Sequence, residues 1–484
     1  MHTIEKFLHS VIWFSLGLVL HRIKYILLSL IVFQLGTTNV AIFYISIYLM
    51  TEFSSFANRL TSSSYNRFLR DKRFSFDKEH LNAVINSTLQ LSLILGLINA
   101  LMIFFLADPI ANLIKNSSFS QTIKLMSLAV PFLVVTNQVI QILSLLTKYK
   151  EAVIFHNIIE SLLVLSFAGI ALTFFKPSIY TILSWQIAAI IISFIIALGL
   201  LYRSLPSFKL NLTLLAIPIR ISSVIFLNST FILLLNHIDI FIVGALFGSK
   251  QLGSYIGLLV APHLIYAIAT NVFGMFIHTA DSFFADTKKV TVFSRKVIES
   301  ILILASLLTL FLLLFPQETL QNILRLHIRI EPLTLKLLSL SFFIRIIAWM
   351  AGQILIVTKH SDKNMQINVF ISLIAAPLFI FFIPKYGFFG ASLSFLLISL
   401  CDVLLKTLFV YTKTSVSFIS VKAIKILLIG LFFYIINGLV PVNFNFFVIY
   451  FPFLFIAVLF LLKGIELEDF ILLKHKLNKK NNAE

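Results

Sequence analysis

Apolar stretches of about 20 residues recur along this chain, separated by short polar pieces, and that length is what a helix needs to cross the hydrocarbon core of a bilayer. Fourteen such spans can be drawn, among them 9–34, 39–58, 122–146, 152–175, 221–246, 334–358 and 388–411, with 423–440 and 445–462 closing the series. The fourth is entered past Lys124, and the thirteenth is short. The longest polar pieces are 59–82, 203–220, 279–295, 412–422 and the tail 463–484, none long enough to fold as a soluble domain. Any chemistry must therefore lie between helices. The pattern predicts an all-α polytopic membrane protein.

Within the apolar pattern, a polar one is written twice. LGTTNVAIFY (35–44) returns as FGSKQLGSYI (247–256), so that Gly36 answers Gly248, Asn39 answers Gln251 and Phe43 answers Tyr255. Pro109 and Asn112 answer Pro316 and Asn322, QILSLLTK (141–148) answers QILIVTK (353–359), and Asn157 and Ser161 answer Asn368 and Ser372. Gly, Asn and Thr-Lys pairs in one order at one offset point to a duplicated unit of about 210 residues, as in many transporters. Each unit holds six spans. An even number brings the second copy into the membrane in the same sense as the first, which predicts two lobes related by an axis along the membrane normal. The expected organisation is a lobe over 1–202, a cytoplasmic linker 203–220, a second lobe over 221–411, two extra helices within 412–462 and a basic tail 463–484.

Composition agrees: 59% of residues are hydrophobic and 12% charged. The excess of 38 Lys and Arg over 20 Asp and Glu would fit a nucleic-acid binder if it were spread over one surface. It is not. With a cytoplasmic N-terminus most basic residues fall on the cytoplasmic side, clustered at Arg59–Lys78, Lys288–Lys296 and Lys474–Lys480, which is the positive-inside bias with both termini inside. The basic clusters orient the chain and attract anionic lipid. The single cysteine, Cys401, lies in an apolar segment, so no disulfide framework is expected. The first span carries His21, Arg22 and Lys24 and lacks a small-residue cleavage site, which reads as a retained helix. No P-loop, His-Glu-x-x-His or metal-spaced Cys/His cluster is present. Neither an enzyme nor a cofactor or metal site is therefore expected, and transport would be driven by an ion or the membrane potential.

The turn LGTTNVAIFY after the first span, IDIFIVGALFGSKQLGSYIG (238–257) opening the second lobe, and IPKYGFFGASL (383–393) resemble the multidrug/oligosaccharidyl-lipid/polysaccharide (MOP) exporter superfamily over residues 1–412. The Pro-x-Tyr-Gly-x-x-Gly-Ala turn is similar to the polysaccharide and O-antigen flippase branch. That resemblance implies an undecaprenyl-diphosphate-linked oligosaccharide as substrate at the bacterial inner membrane. It also implies membrane lipids as partners, H⁺ or Na⁺ as coupling ion, and a polysaccharide polymerase nearby. Fourteen helices are also similar to the lipid II flippases, where the two extra helices are associated with a groove for the lipid tail. The Ser-rich TEFSSFANRLTSSS (51–64) departs from the Pro-bearing basic segment that resemblance would imply. A MATE-like drug or cation antiporter is the alternative from another class; a basic first span would repel its cations. A non-transporting scaffold leaves the buried charges without a purpose.

Charges inside spans are costly, so each is a site candidate. Arg22 and Lys24 on the first span, with His21 on the face of Lys24, and Arg345 on the tenth are the cations available to a diphosphate. Arg22 and Lys24 point about 200° apart, so at most one squarely faces a cavity; both are also near enough to an edge to snorkel. Asp239, with His237 beside it, sits on the repeat mate of the first span, where an ion pair with that span is reachable; local satisfaction by Asn228, Ser229 or Asn236 is the alternative. Glu52 and Glu160 are proton or sodium candidates, with Ser54, Ser55 and Ser161 as possible local partners. Asp402 and Lys406, four apart, read as a self-satisfied pair.

Overall fold

The computed structural model describes Lys24, Leu28, and residues 31–70, 78–145, 151, 154–175, 178–204, 219–280, 286–323, 331–439 and 444–461. His21, Arg22, most of the expected linker and the basic tail lie outside the described residues. Within them the chain is helical throughout, with no strand. After a first segment carrying Lys24 and ending at Gln34, the helices are α1 (Thr37–Arg70), α2 (Lys78–Ile114), α3 (Ser118–Ser127), α4 (Val130–Leu145), α5 (Glu160–Phe174), α6 (Ile179–Ser204), α7 (Ile219–Ala280), α8 (Thr287–Leu314), α9 (Pro332–Val357), α10 (Ser361–Lys413), α11 (Val421–Leu439) and α12 (Phe444–Leu461). Among the described residues six helices are long and apolar enough to cross a membrane, or seven if a bent pair counts as one span. The chain is a multi-pass membrane protein.

Two of these helices are hairpins. In α7 the helical path breaks at Gly248 (φ 78°) and in α10 at Gly387 (φ 58°), and in each the chain folds back on itself. Tyr255 reaches Asp239 and Ser394 reaches the Leu378 carbonyl, both sixteen residues away across the turn. A side chain in that left-handed region is strained, whereas glycine enters it freely, so a one-residue reversal can join two spans without a loop. Gly36, which the sequence pattern pairs with Gly248, also has positive φ (100°).

The fourth expected span, 122–146, is a broken one: α3 and α4 meet at 43°. Pro131, in the first turn of α4, has no N–H to continue a helix from α3. The thirteenth forms a 19-residue helix, α11.

The chain divides into two compact units, one reaching Gly257 and the other beginning at Leu258. In the first, α1 is tied across the bundle by Ser46 to Thr122 (3.1 Å), Thr61 to Gln138 (2.7 Å) and Asn99 to the Phe53 carbonyl (2.8 Å). Other hydroxyls inside spans donate to their own helix four residues back, as Thr88 does to Val84 and Ser92 to Thr88, which meets the demand for internal satisfaction in lipid. Leu97, Leu101 and Phe105 of α2, spaced four apart, face outward and are 50%, 58% and 72% exposed, a lipid-facing stripe.

In the second unit, α8 opens on Asp286, whose carboxylate accepts from the Lys289 backbone N–H at 3.1 Å. That bond holds the carboxyl below the usual carboxylate range. Arg295 donates to the Ser417 carbonyl and side chain, and Ser420 to Glu299, so the strand of chain before α11 is fastened to α8. Phe433, Phe451 and Phe455 interlock α11 with α12, and Phe311 meets Phe451 from α8.

Candidate functional site

A cavity of about 420 Å³ opens inside the first unit, between the first segment, α1, α4, α5 and α6. Its wall is polar in a chain that is mostly not. Asn58 comes from α1, Asn137 and Gln141 from one face of α4, Gln186 from α6, and Lys24 and Glu160 from the first segment and α5. Asn137 and Gln141 share the cavity because residues four apart lie one above the other on a helix. Glu160 is delivered by an irregularity: Ile154–Ile159 form a π-turn directly before α5 begins at Glu160. Such turns shift the register of everything after them.

Lys24 Nζ lies 3.4 Å from Glu160 Oε1, and the two side chains are 2% and 8% exposed. Burying one charge alone is prohibitive; burying both together at this distance is tolerable. Lys24 therefore does not snorkel, and its described acidic partner is Glu160. The adjacent serine does not hold that carboxylate: Ser161 Oγ has no hydrogen-bond partner among the described residues. Three amide oxygens of the wall, Asn58 Oδ1, Gln141 Oε1 and Gln186 Oε1, are also buried without a hydrogen-bond partner among the described residues.

The remaining candidates sit elsewhere. Asp239 of α7 is fully buried and accepts a 2.6 Å hydrogen bond from Tyr255 Oη, so the tyrosine that closes the repeated motif is what holds it. His237 stacks on Tyr48 of α1, ring centroids 4.0 Å apart. Glu52 is half-buried one turn beyond Tyr48. Of the serines near it, Ser54 is committed to the Met50 carbonyl. Asp402 and Lys406 form the expected pair, with Nζ 2.8 Å from Oδ1 and donating to Oδ2 at 3.1 Å.

In the second unit Arg345 of α9 is 6% exposed. Its guanidinium lies over the rings of Tyr266 (5.5 Å) and Phe342 (6.0 Å), and Trp349 abuts Tyr266. An arginine buried on aromatic faces is held there by cation–π contact as well as by packing. The sequence reading missed both the amides of the first unit and these rings. Asn, Gln, Tyr and Trp are common enough in helices that only their convergence singles them out.

No curated protein matches the sequence significantly. The fold has clear relatives among solved structures. The lipid II flippase MurJ in an inward closed conformation superposes with a TM-score of 0.73 at 16% identity, covering 93% of this chain and 97% of its own. An inward-facing multidrug resistance MATE family transporter of the MOP superfamily gives 0.65 at 12% identity, covering 83% and 96%. A MOP superfamily transporter from Pyrococcus furiosus gives 0.62 at 14% identity, again covering 83% and 96%. These likenesses establish a MOP-type fold. Residues 44–324, more than half of the chain, match the family model described as polysaccharide biosynthesis protein, so the chain belongs to that family.

Proposed function

We propose that this protein is a flippase that moves an undecaprenyl-diphosphate-linked oligosaccharide, an O-antigen or other surface-polysaccharide unit, across the bacterial inner membrane by alternating access. The observation that carries the reading is the polar cavity of about 420 Å³ within a membrane-spanning bundle of a polysaccharide biosynthesis family member. A glycan head group cannot enter hydrocarbon without replacements for its water, and a wall of amides and one ion pair supplies them. Glu160 balances Lys24 when no substrate is present, and an anionic head group offers the ammonium a competing partner. Only an interaction that differs between states can shift a conformational equilibrium, and this exchange is such an interaction. Arg345 supplies a second cation, and Arg22 and His21 complete the basic set of the first span. Asp239, Glu52, Glu160 and His237 are the groups through which H⁺ or Na⁺ would couple, and a polymerase is the expected consumer of the exported unit. Both termini are cytoplasmic in this scheme, and the lobes 1–202 and 221–411 each contribute six spans.

A lipid II flippase is the second reading. It is favoured by the extent of the MurJ superposition, which covers 93% of this chain against 83% for the inward-facing MATE family transporter. Complementation separates the two. In a strain lacking its own O-antigen flippase, the protein should restore surface glycan, measured by gel and lectin blot with protein level controlled. Rescue instead of a MurJ-depleted strain, with no return of surface glycan, would overturn the first reading in favour of the second.

A further inference from the structure

We infer that the amide wall of the first-unit cavity is a subsite for the sugar of the substrate, separate from the contact made by its phosphates. The inference rests on the flippase reading and names which part of the substrate this cavity takes. Four neutral carboxamides, Asn58, Asn137, Gln141 and Gln186, line it, and three of them present buried oxygens with no hydrogen-bond partner among the described residues. A buried acceptor without a donor is costly, so the site calls for a ligand rich in O–H or N–H. A diphosphate offers only acceptors. A sugar hydroxyl offers both, and pairs with a carboxamide whichever way the amide is turned.

Charge points the same way. The charged residues on the described wall are Lys24 and Glu160, one of each sign and 3.4 Å apart, so the wall as a whole carries no net attraction for an anion. Glu160 Oε1 is a further strong acceptor for hydroxyls. The volume of about 420 Å³ falls inside the roughly 300–1,000 Å³ usual for small-molecule sites. The first sugar of such a substrate is bonded directly to its diphosphate. A wall that holds an ion pair and four carboxamides matches a substrate in which a hydroxyl-bearing sugar stands next to charged phosphates.

The test uses the full-length protein in nanodiscs, with the methyl glycoside of N-acetylglucosamine and inorganic pyrophosphate as separate probes. Saturation-transfer NMR should show saturable contact with the glycoside. That signal should fall about tenfold in the Asn137→Leu/Gln141→Leu/Gln186→Leu triple variant, each substitution removing a hydrogen-bonding group while keeping the volume near that of the original. Gly199→Ala, at an exposed position of α6 that is not part of the wall, should leave it within about twofold. Phosphorus NMR line broadening of pyrophosphate should stay within about twofold in the triple variant. If the triple variant is not monodisperse, the three single variants carry the same test, with a drop of about threefold each. No saturable glycoside signal on the wild type, or a signal unchanged in the variants, overturns the subsite. In the complementation strain the two proposals part. Failure of the wild type to restore glycan defeats the flippase reading. Rescue by the wild type and equally by the triple variant defeats the sugar subsite alone.

Discussion

Neutralising one member of the Lys24–Glu160 pair should destabilise the protein far more than neutralising both. At 3.4 Å, two unit charges attract by about 5 kcal/mol if the effective dielectric constant is about 20. Desolvating them costs several kcal/mol per ion, so the intact pair is close to break-even. Removing a single partner leaves the other charge buried at 2% or 8% exposure, for a loss of about 3–5 kcal/mol. Glu160→Gln and Lys24→Met should each melt well below the wild type, while Lys24→Met/Glu160→Leu should recover most of the difference. The measurement is heat-induced loss of the monodisperse peak for the four purified proteins, read as a double-mutant cycle. A double variant that loses as much as the two singles added together would show that the two charges are not coupled. Singles that melt with the wild type would show that both charges reach solvent, where such a pair is worth about 0–1 kcal/mol. Either result would remove the physical basis for treating Glu160 as the group a substrate displaces.

Two further outcomes follow from the packing. A Cβ added at Gly253 would sit 1.8 Å from the Thr37 carbonyl oxygen, a backbone atom that cannot swing aside, so Gly253→Ala should sharply lower the yield of folded protein. Gly199→Ala, which meets nothing within 4 Å, should be stable; equal yields of the two would show that α7 and α1 do not approach this closely. Tyr255→Phe removes the donor to fully buried Asp239 and should cost about 1.5–3 kcal/mol, the range for a bond to a charged group, with Tyr386→Phe, at a 45% exposed position of α10, as the control. A melting temperature unchanged in Tyr255→Phe would refute the assignment of that hydroxyl as the anchor of Asp239.

The all-helical, apolar character of the chain was legible because it depends on features a linear pattern records. Apolar runs have the length of a bilayer, and glycines mark positions where only they turn freely. Gly36 and Gly248 were matched as letters, and both have positive φ. The Asp402–Lys406 pair was legible for the same reason, since its geometry is local to one helix. Lys24 and Glu160 could each be singled out as a charge in an apolar segment, but not as a pair. They are 136 residues apart, and the π-turn that brings Glu160 into place has no sequence signature of its own. The break between α3 and α4 was missed because hydropathy continues across it while the backbone does not. The amide cavity was illegible for a different reason: its four amides come from three separate helices and none is unusual where it stands.

The repeat offset makes the two units informative about each other. Adding 212 to Leu133, Asn137 and Gln141, which line the first-unit cavity from one face of α4, gives Arg345, Trp349 and Gln353 on α9. The same face of the same helix in the plan is therefore polar and interior in both copies. Gln141 and Gln353 even share a buried side-chain oxygen without a hydrogen-bond partner among the described residues. What differs is the chemistry around that shared glutamine. The first copy adds an asparagine and faces an ion pair; the second adds an arginine stacked on Tyr266 and a tryptophan beside it. A packing constraint would have kept both faces apolar, because a buried amide or guanidinium is expensive wherever it is only filling space. Keeping the glutamine while changing its neighbours gives each unit an interior face with its own chemistry. Amides suit a neutral, hydroxyl-bearing group, and a stacked guanidinium suits a phosphate or the face of a second ring. On that argument Arg345→Gln should weaken export without touching glycoside binding in the first unit, and a loss of glycoside binding in that variant would refute the independence of the two faces.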